Sequence, residues 1–251
     1  MGKILISDVD HTIYFLDERD IKNSKAIKKF KENNMIIACS GRGLNGIIET
    51  EEEIDVRFDY YILLNGALIA DKNRKVLKHE EINYKCLEGI LELTNKASLG
   101  VCINDGYDYH LVQGEHNTLK LENIKEYKDK KVSALAVGYR LNDNNFDEML
   151  NIIVDEINSR YGEYVNAYKN TKYIDIVPAG CSKGNAINEL EESWKLDYKN
   201  IYTVGDSEND VTMLNNKYVS FTFNSSKSFL KEMVDYIIDE FPECLDIIEK
   251  L

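Results

Sequence analysis

The first apolar segment of the chain ends in two acidic residues. Ile4 to Ile6 predict a short buried strand, and Asp8 and Asp10 follow it at once. Open α/β sheets bind their ligands at the carboxyl ends of the strands, which is where these acids fall. Carboxylates this close repel each other unless a cation or a shared proton relieves them. The pair therefore predicts a chemical site, and an oxygen-preferring cation such as Mg²⁺ is its natural counter-charge.

The composition limits the classes of partner. The chain has 251 residues, a formal net charge of −13 and 43% hydrophobic residues, an ordinary balance for a globular protein. Its acidity disfavours nucleic-acid binding, which needs a basic face. We expect no membrane segment, because no run approaches the roughly 20 apolar residues of a membrane helix. The scattered cysteines form no C-x-x-C pair, which is typical of reduced thiols in a cytoplasmic protein. We also expect a monomer or a small homo-oligomer.

The two ends of the chain differ in pattern from its middle. Residues 1–80 and 181–251 alternate strands with helices, which predicts an α/β core with a parallel central sheet. Residues 81–180 contain several strand-like runs and two helical segments. We therefore expect an α+β domain inserted into the α/β core.

Three predictions concern helices of the core. Ser24 is expected to cap a helix that ends near Asn34, and Ser182 to cap a later helix. A further helix is expected from Val211 to Leu214.

Three more features lie where a strand should end or a helix begin. Ser40 and Gly41 follow the second predicted strand, where a hydroxyl and backbone N–H groups can bind a phosphate. Lys183 comes one residue after Ser182, and Gly205-Asp206-Ser207-Glu208-Asn209-Asp210 brings acids to the end of another strand. Each feature alone has a plain structural reading as an N-cap, a solvated lysine or an acidic turn. Together with the first acid pair they indicate one site.

As a set, these motifs resemble those of the haloacid dehalogenase (HAD) superfamily, in its Cof-like type IIB branch. Asp8-Val9-Asp10-His11-Thr12 resembles the first motif, Ser40-Gly41-Arg42 the second, Lys183-Gly184 the third, and Gly205 to Asp210 the fourth. The resemblance spans the whole chain. It implies a Rossmann-like HAD core with an inserted α+β cap domain of the C2B type.

The resemblance also implies an activity and its residues. The implied enzyme is a Mg²⁺-dependent phosphatase that hydrolyses small phosphorylated metabolites, sugar phosphates or similar phosphomonoesters, through an aspartyl-phosphate intermediate. Mg²⁺ would contact the carboxylates of Asp8 and Asp206 and the backbone carbonyl of Asp10. The implied residues are catalytic Asp8 and Asp10; phosphate-binding Ser40, Gly41, Lys183 and Asn209; metal-binding Asp8, Asp10 and Asp206; and supporting Thr12 and Asp210.

The inserted domain would act as a lid that selects the leaving group. Its polar aromatic residues would suit a sugar or another polyol, and they include Tyr107, Tyr109, Tyr168 and Tyr173. Two positions depart from the family pattern: His11 replaces the usual Gly, and Gly43 stands where Pro is frequent.

Three other functions stay open at this point. A sugar phosphomutase of the phosphomannomutase type shares this core, and a non-catalytic phosphate-binding regulator is the alternative outside enzymes. The segment Gly41 to Gly46 also matches the G-x-G-x-x-G pattern of dinucleotide-binding folds. However, the next strand ends in Leu64-Asn65, without the acid that would bind a ribose.

Overall fold

The computed structural model describes residues 2–116, 118–138, 146–170, 172–195, 197–214 and 217–251. Within these ranges the strands are β1 (Ile4–Ser7), β2 (Met35–Cys39), β3 (Tyr60–Leu63), β4 (Leu68–Ala70), β5 (Val76–His79), β6 (Gly100–Asn104), β7 (Tyr109–Gln113), β8 (Ala134–Gly138), β9 (Val165–Asn170), β10 (Tyr173–Pro178), β11 (Ile201–Val204), β12 (Val219–Phe223) and β13 (Tyr236–Ile238). The α-helices are α1 (Arg19–Phe30), α2 (Leu44–Ile54), α3 (Tyr84–Lys96), α4 (Phe146–Tyr161), α5 (Lys183–Trp194), α6 (Ser228–Lys231) and α7 (Phe241–Lys250).

The larger sheet has the strand order β13-β12-β11-β1-β2-β3-β4-β5. Its strands run parallel from β13 to β3, and β4 and β5 add an antiparallel hairpin at one edge. Apolar side chains of α1, α2 and α7 pack on one face of this sheet, and those of α5 and α6 on the other. Strands buried on both faces read as continuous apolar runs, and the four residues of β1 are all buried. The predicted α/β fold with a parallel central sheet is confirmed.

The smaller sheet is antiparallel, with the order β7-β6-β8-β10-β9. Leu87 and Ile90 of α3, and Leu150 and Ile157 of α4, pack with its strand residues in a separate buried cluster. We call β6–β10 with α3 and α4 the inserted unit. It falls within the predicted inserted segment, whose boundaries at residues 80 and 180 stay a prediction.

In the ranges given above, no helix has the length and apolar character needed to cross a bilayer.

The first helix differs from its prediction at both ends. It begins at Arg19, so Ser24 is a buried interior residue and does not cap it. The Asp20 carboxylate accepts the backbone N–H groups of Phe15 and Leu16, at 2.8 and 3.0 Å, which turns the preceding segment and lets the helix start early. The helix ends at Phe30, whose carbonyl accepts the side-chain amide of Asn34 at 3.1 Å.

Two other elements near the carboxyl end of the chain differ from their predictions. Val211 to Leu214 form turns that follow a short 3₁₀ helix at Glu208–Asp210, so the predicted helix there is wrong. The structure also has α7, which we did not predict. Its signals were Pro242 in the first turn and buried apolar residues at helical spacing, with Leu245 and Ile248 among them.

The close packing of α5 on the turn after β11 generates a stability prediction. A Cβ atom at Gly184 would lie 2.0 Å from the backbone oxygen of Thr212, whereas one at Gly46 would meet nothing nearer than 3.8 Å. Gly184→Ala should therefore lower the free energy of unfolding by about 1–3 kcal/mol. Gly46→Ala, also inside a helix, should raise it by roughly 0.5–1 kcal/mol through helix propensity. Urea denaturation of both variants tests this, and equal stabilities would contradict the packing argument.

Candidate active site

The predicted motifs meet because three parallel strands end side by side. Register pairs Ser7 at the end of β1 with Ala38 in β2 and with Val204 in β11. The residues that follow these strands therefore share one edge of the sheet. The chain runs from β1 outward to β2 and β3, and later from β11 outward to β13 on the opposite side. This reversal beside β1 forms the crevice typical of open α/β sheets.

Lys183 is the buried cation of this edge, with no solvent exposure. Its Nζ donates to Asp8 Oδ1 at 2.5 Å and to Asp210 Oδ1 at 2.6 Å. Burial lowers the pKa of Lys183, but the carboxylates of Asp210 and Asp8 outweigh it and hold that pKa well above its usual value. The helix that carries this lysine starts as predicted, since the Ser182 hydroxyl accepts the N–H of Asn185 at 3.1 Å.

Three carboxylates cluster around this single cation. Asp8, Asp206 and Asp210 each offer an oxygen, and these oxygens lie within 4.8 Å of one another. Burial raises the pKa of Asp8 well above its usual value, against the opposing effect of Lys183. Burial and the charge of Asp210 raise the pKa of Asp206 to about 6. The cluster therefore carries more negative charge than its lysine balances.

Asp210 is committed to holding the site together. Its Oδ1 accepts Lys183, and its Oδ2 accepts the backbone N–H groups of Asp206 and Ser207, both at 2.9 Å. It packs so tightly that a Cβ atom at Gly205 would lie 2.4 Å from its Cγ. These contacts fit the supporting role predicted for Asp210.

The donor set fits a hard divalent cation. With Asp210 occupied, the carboxylates of Asp8 and Asp206 remain to contact an ion, and both are oxygen ligands of the kind that Mg²⁺ prefers. Burial, with a smaller contribution from neighbouring carboxylates, raises the pKa of Asp8 and of Asp206, and a bound cation would favour their ionised forms. Thr12 supports Asp206, donating from its hydroxyl to Oδ1 at 3.4 Å.

The Asp10 side chain lies outside this cluster. Its Oδ2 accepts Nε of Arg42 at 2.9 Å, and its Oδ1 accepts Nη2 of Arg42 at 2.6 Å. The carboxylate is thus separate from that of Asp8, although both line one cavity. The Asp10 carboxylate is therefore not among the clustered metal donors, and a contact through the Asp10 backbone carbonyl, which the family resemblance implies, stays a prediction. Arg42 belongs to the second sequence motif, which by itself predicts no role for this residue.

A cavity of about 340 Å³ opens above the strand ends and is shared by both sheets. The core lines it with Asp8, Asp10, His11, Gly41, Arg42, Asp206, Ser207 and Asn209. The inserted unit lines it with Tyr109, Asn170, Lys172, Tyr173 and Asp175.

Some predicted residues do not line this cavity directly. Ser40 is buried beneath it, and its hydroxyl oxygen accepts the N–H of Arg42 at 3.1 Å. Of the four tyrosines expected to form a substrate face, Tyr109 and Tyr173 line the cavity. Tyr107 is exposed, and the hydroxyl of Tyr168 points to the Cys181 carbonyl at 3.4 Å.

A hydrogen-bond chain that we did not predict joins the inserted unit to the core. Asn209 donates to Oδ1 of Asn65 at 3.2 Å, and Asn65 donates to Oδ2 of Asp175 at 3.1 Å. Burial raises the pKa of Asp175, opposed by the amides of Asn170 and Asn65. Asn65 adopts a left-handed backbone, with φ at 50°. An acid in the middle of the otherwise apolar strand β10 was the sequence signal for this chain.

The loop between β6 and β7, residues 105–108, lies on the start of α2. Its carbonyls at Gly106 and Tyr107 accept the N–H groups of Leu44 and Asn45, at 3.0 and 3.3 Å. These are helix N-terminal donors that the helix itself cannot satisfy. A pyrophosphate would need the same donors, so this contact argues against dinucleotide binding at the Gly41 to Gly46 segment.

The structure accounts for one departure from the family pattern, Gly43, and offers no explanation for the other, His11. His11 has φ at 60°, a left-handed conformation that glycine adopts without strain. Gly43 lies under the β6–β7 loop, where a Cβ atom would come within 2.6 Å of the Tyr107 carbonyl oxygen. A proline ring at that position would therefore collide with the loop.

Several known proteins are similar to this chain over nearly its whole length. The chain is 23% identical to the 5-amino-6-(5-phospho-D-ribitylamino)uracil phosphatase YcsE of Bacillus subtilis, over 94% of this chain and 90% of that protein. Among solved structures, SMU.1108c of Streptococcus mutans superposes with a TM-score of 0.82 at 18% identity, covering 100% of this chain and 98% of that one. The HAD subclass IIB sugar phosphatase BT4131 superposes with a TM-score of 0.78 at 16% identity, covering 99% and 98%.

The family itself follows from a match over almost the whole chain. The model of the haloacid dehalogenase-like hydrolases matches residues 5–243, which include all four predicted motifs. The predicted family and the predicted class of enzyme, a hydrolase, are therefore confirmed. This protein belongs to the haloacid dehalogenase-like hydrolases.

Proposed function

We propose that the protein is a Mg²⁺-dependent phosphatase that hydrolyses small phosphorylated metabolites through an aspartyl-phosphate intermediate. The observation that carries this proposal is the Asp8–Lys183–Asp210 contact at the carboxyl end of β1, with Asp206 beside it. The names of the relatives support a phosphatase.

The metal would be held by the carboxylates of Asp8 and Asp206 and by the backbone carbonyl of Asp10. When bound, Mg²⁺ supplies positive charge that offsets the repulsion between a carboxylate nucleophile and an anionic phosphate. Asp210 keeps the loop after β11 in place, because it binds two backbone N–H groups of that loop.

Asp8 is the nucleophile, and Asp10 moves the protons. In the first step an Asp8 oxygen bonds to phosphorus, while the ester bond breaks and the leaving oxygen takes its electron pair and a proton from Asp10. In the second step a water oxygen attacks phosphorus and gives a proton to Asp10. The bond between phosphorus and Asp8 then breaks, which releases inorganic phosphate and restores both carboxyl groups.

The phosphoryl oxygens are stabilised by donors at the same edge. Lys183 brings a charge that burial in a low-dielectric surrounding makes more effective. Gly41 and Asn209 line the cavity, so the Gly41 N–H and the Asn209 amide can reach a bound group. Ser40 accepts a hydrogen bond from Arg42, which leaves its own hydroxyl proton to donate.

The cavity wall supports the proposed substrate class. A volume of about 340 Å³ suits a small metabolite. The inserted unit contributes polar groups such as Asn170, Lys172 and Asp175, which can pair with the hydroxyl groups of a sugar phosphate or a similar phosphomonoester. YcsE is named for a substrate that carries a phosphorylated ribityl chain, which is consistent with this class.

We further propose that the protein acts in the cytoplasm, as a monomer or small homo-oligomer. Its five cysteines are free, and four of them are buried. Unpaired thiols are typical of a reducing compartment.

The first prediction concerns the nucleophile. Asp8→Asn keeps the size of the side chain and an oxygen for Lys183, but the amide cannot attack phosphorus. Release of phosphate from p-nitrophenyl phosphate should fall by about 10³-fold or more. Asp246→Asn on the exposed face of α7 is the matched control and should be fully active. An active Asp8→Asn enzyme would rule out the aspartyl-phosphate mechanism.

The second prediction separates metal binding from catalysis. Because the folded state raises the pKa of Asp206 to about 6, its ionised form destabilises the metal-free fold above that pH. In EDTA at pH 8, Asp206→Asn should therefore raise the free energy of unfolding by about 1–3 kcal/mol, and the gain should shrink as the pH falls toward 4.

Added Mg²⁺ should reverse this order. The wild type gains stability from an ion that binds its folded state, whereas the variant lacks one ligand. Urea denaturation with EDTA and with Mg²⁺ measures both effects, and phosphatase activity should follow the metal. Identical responses of the two proteins to Mg²⁺ would show that Asp206 is not a ligand.

A further inference from the structure

The mechanism leaves one strongly held residue without a role. Arg42 binds Asp10 through two parallel hydrogen bonds, from Nε at 2.9 Å and from Nη2 at 2.6 Å. A guanidinium fork of this kind fixes both the position and the plane of a carboxylate, which a lysine cannot do. The carboxylate raises the pKa of Arg42 in return.

The other side of the guanidinium is anchored to α2. Nη1 of Arg42 donates to the Thr50 hydroxyl at 2.8 Å and to the Gly46 carbonyl at 3.3 Å. The ring of Tyr14 lies 5.2 Å from the guanidinium carbon. Arg42 therefore has little freedom to rotate, and it transmits the position of α2 to the Asp10 side chain.

We propose that Arg42 is a positioning residue that orients the Asp10 carboxyl group toward the leaving oxygen. The inference rests on the proposed phosphatase function and adds to it. Arg42 forms and breaks no bond with the substrate. It acts through Asp10. In its protonated form Asp10 passes the proton to the leaving oxygen while the bond from phosphorus to that oxygen breaks, and it regains a proton from the water that attacks in the second step.

This role predicts that the loss of activity in Arg42 variants depends on the leaving group of the substrate. An alkoxide is a poor leaving group and needs a proton from a well-placed acid, whereas p-nitrophenolate leaves without one. General acid catalysis contributes about 10²–10⁴-fold where it is needed. A misplaced Asp10 should therefore harm alkyl phosphates far more than p-nitrophenyl phosphate. A residue that bound the phosphoryl group itself would affect both substrates equally.

The experiment compares kcat/KM for p-nitrophenyl, phenyl and ethyl phosphate, because kcat/KM reports the step in which the leaving group departs. Arg42→Met should lose about 100-fold or more on ethyl phosphate and less than about 10-fold on p-nitrophenyl phosphate. Arg42→Lys keeps the charge and should show the same pattern, because it lacks the fork. Arg57→Met, at an exposed arginine of the core, is the control and should match the wild type.

A double-mutant cycle tests whether Arg42 acts through Asp10. Asp10→Asn alone should show the same dependence on the leaving group, and adding Arg42→Met to it should cost less than about 3-fold more on ethyl phosphate. A crystal structure of Arg42→Met should show the Asp10 carboxylate in another rotamer.

The outcomes separate this inference from the proposed function. Equal losses on the three esters, or losses that multiply in the double variant, would overturn the role of Arg42 while wild-type turnover still supports the phosphatase. A wild type that releases no phosphate from any ester would overturn both.

Discussion

The buried ammonium of Lys183 is the interaction on which the rest of the site depends. It brings together the end of β1 through Asp8 and the turn after β11 through Asp210, from a helix that follows the inserted unit. A charge with no solvent exposure persists only when it is well paired. Removing either partner of such a buried pair typically costs about 3–5 kcal/mol. The assembly of the core from two distant parts of the chain therefore also assembles the proposed reaction centre.

The same cluster has more acidic groups than basic ones. One ammonium faces the carboxylates of Asp8, Asp206 and Asp210, and burial adds to their mutual repulsion. A structure selected for stability alone would replace one of these acids, so the imbalance points to use by a cation and an anionic substrate. By contrast, the Asp10 carboxyl group lies beside the positive guanidinium of Arg42. Asp8 and Asp10, the proposed nucleophile and the proposed proton carrier, thus line one cavity but lie in different electrostatic surroundings.

The sequence was sufficient where a local pattern and a general rule of sheets coincide. Asp8 and Asp206 could be placed together because the carboxyl ends of parallel strands share one edge. Ser24 misled because a helix start depends on what precedes it, here the Asp20 carboxylate that turns the chain at Phe15. The pairing of Asn65 with Asp175, 110 residues apart, depends on how two separate sheets meet, which no local pattern encodes.

The first turn of α2 depends on the β6–β7 loop for its hydrogen bonds. The N–H groups of Leu44 and Asn45 donate to carbonyls of the β6–β7 loop, which belongs to the inserted unit. Tyr109 of the same unit donates its hydroxyl proton to the Gly41 carbonyl at 3.0 Å. If the inserted unit swings away to admit a substrate, these two amides lose their acceptors to water at the same moment. Their hydrogen-exchange rates would then count opening events directly, without any substrate present. Amide exchange at the start of α2 would thus report how often the cavity opens.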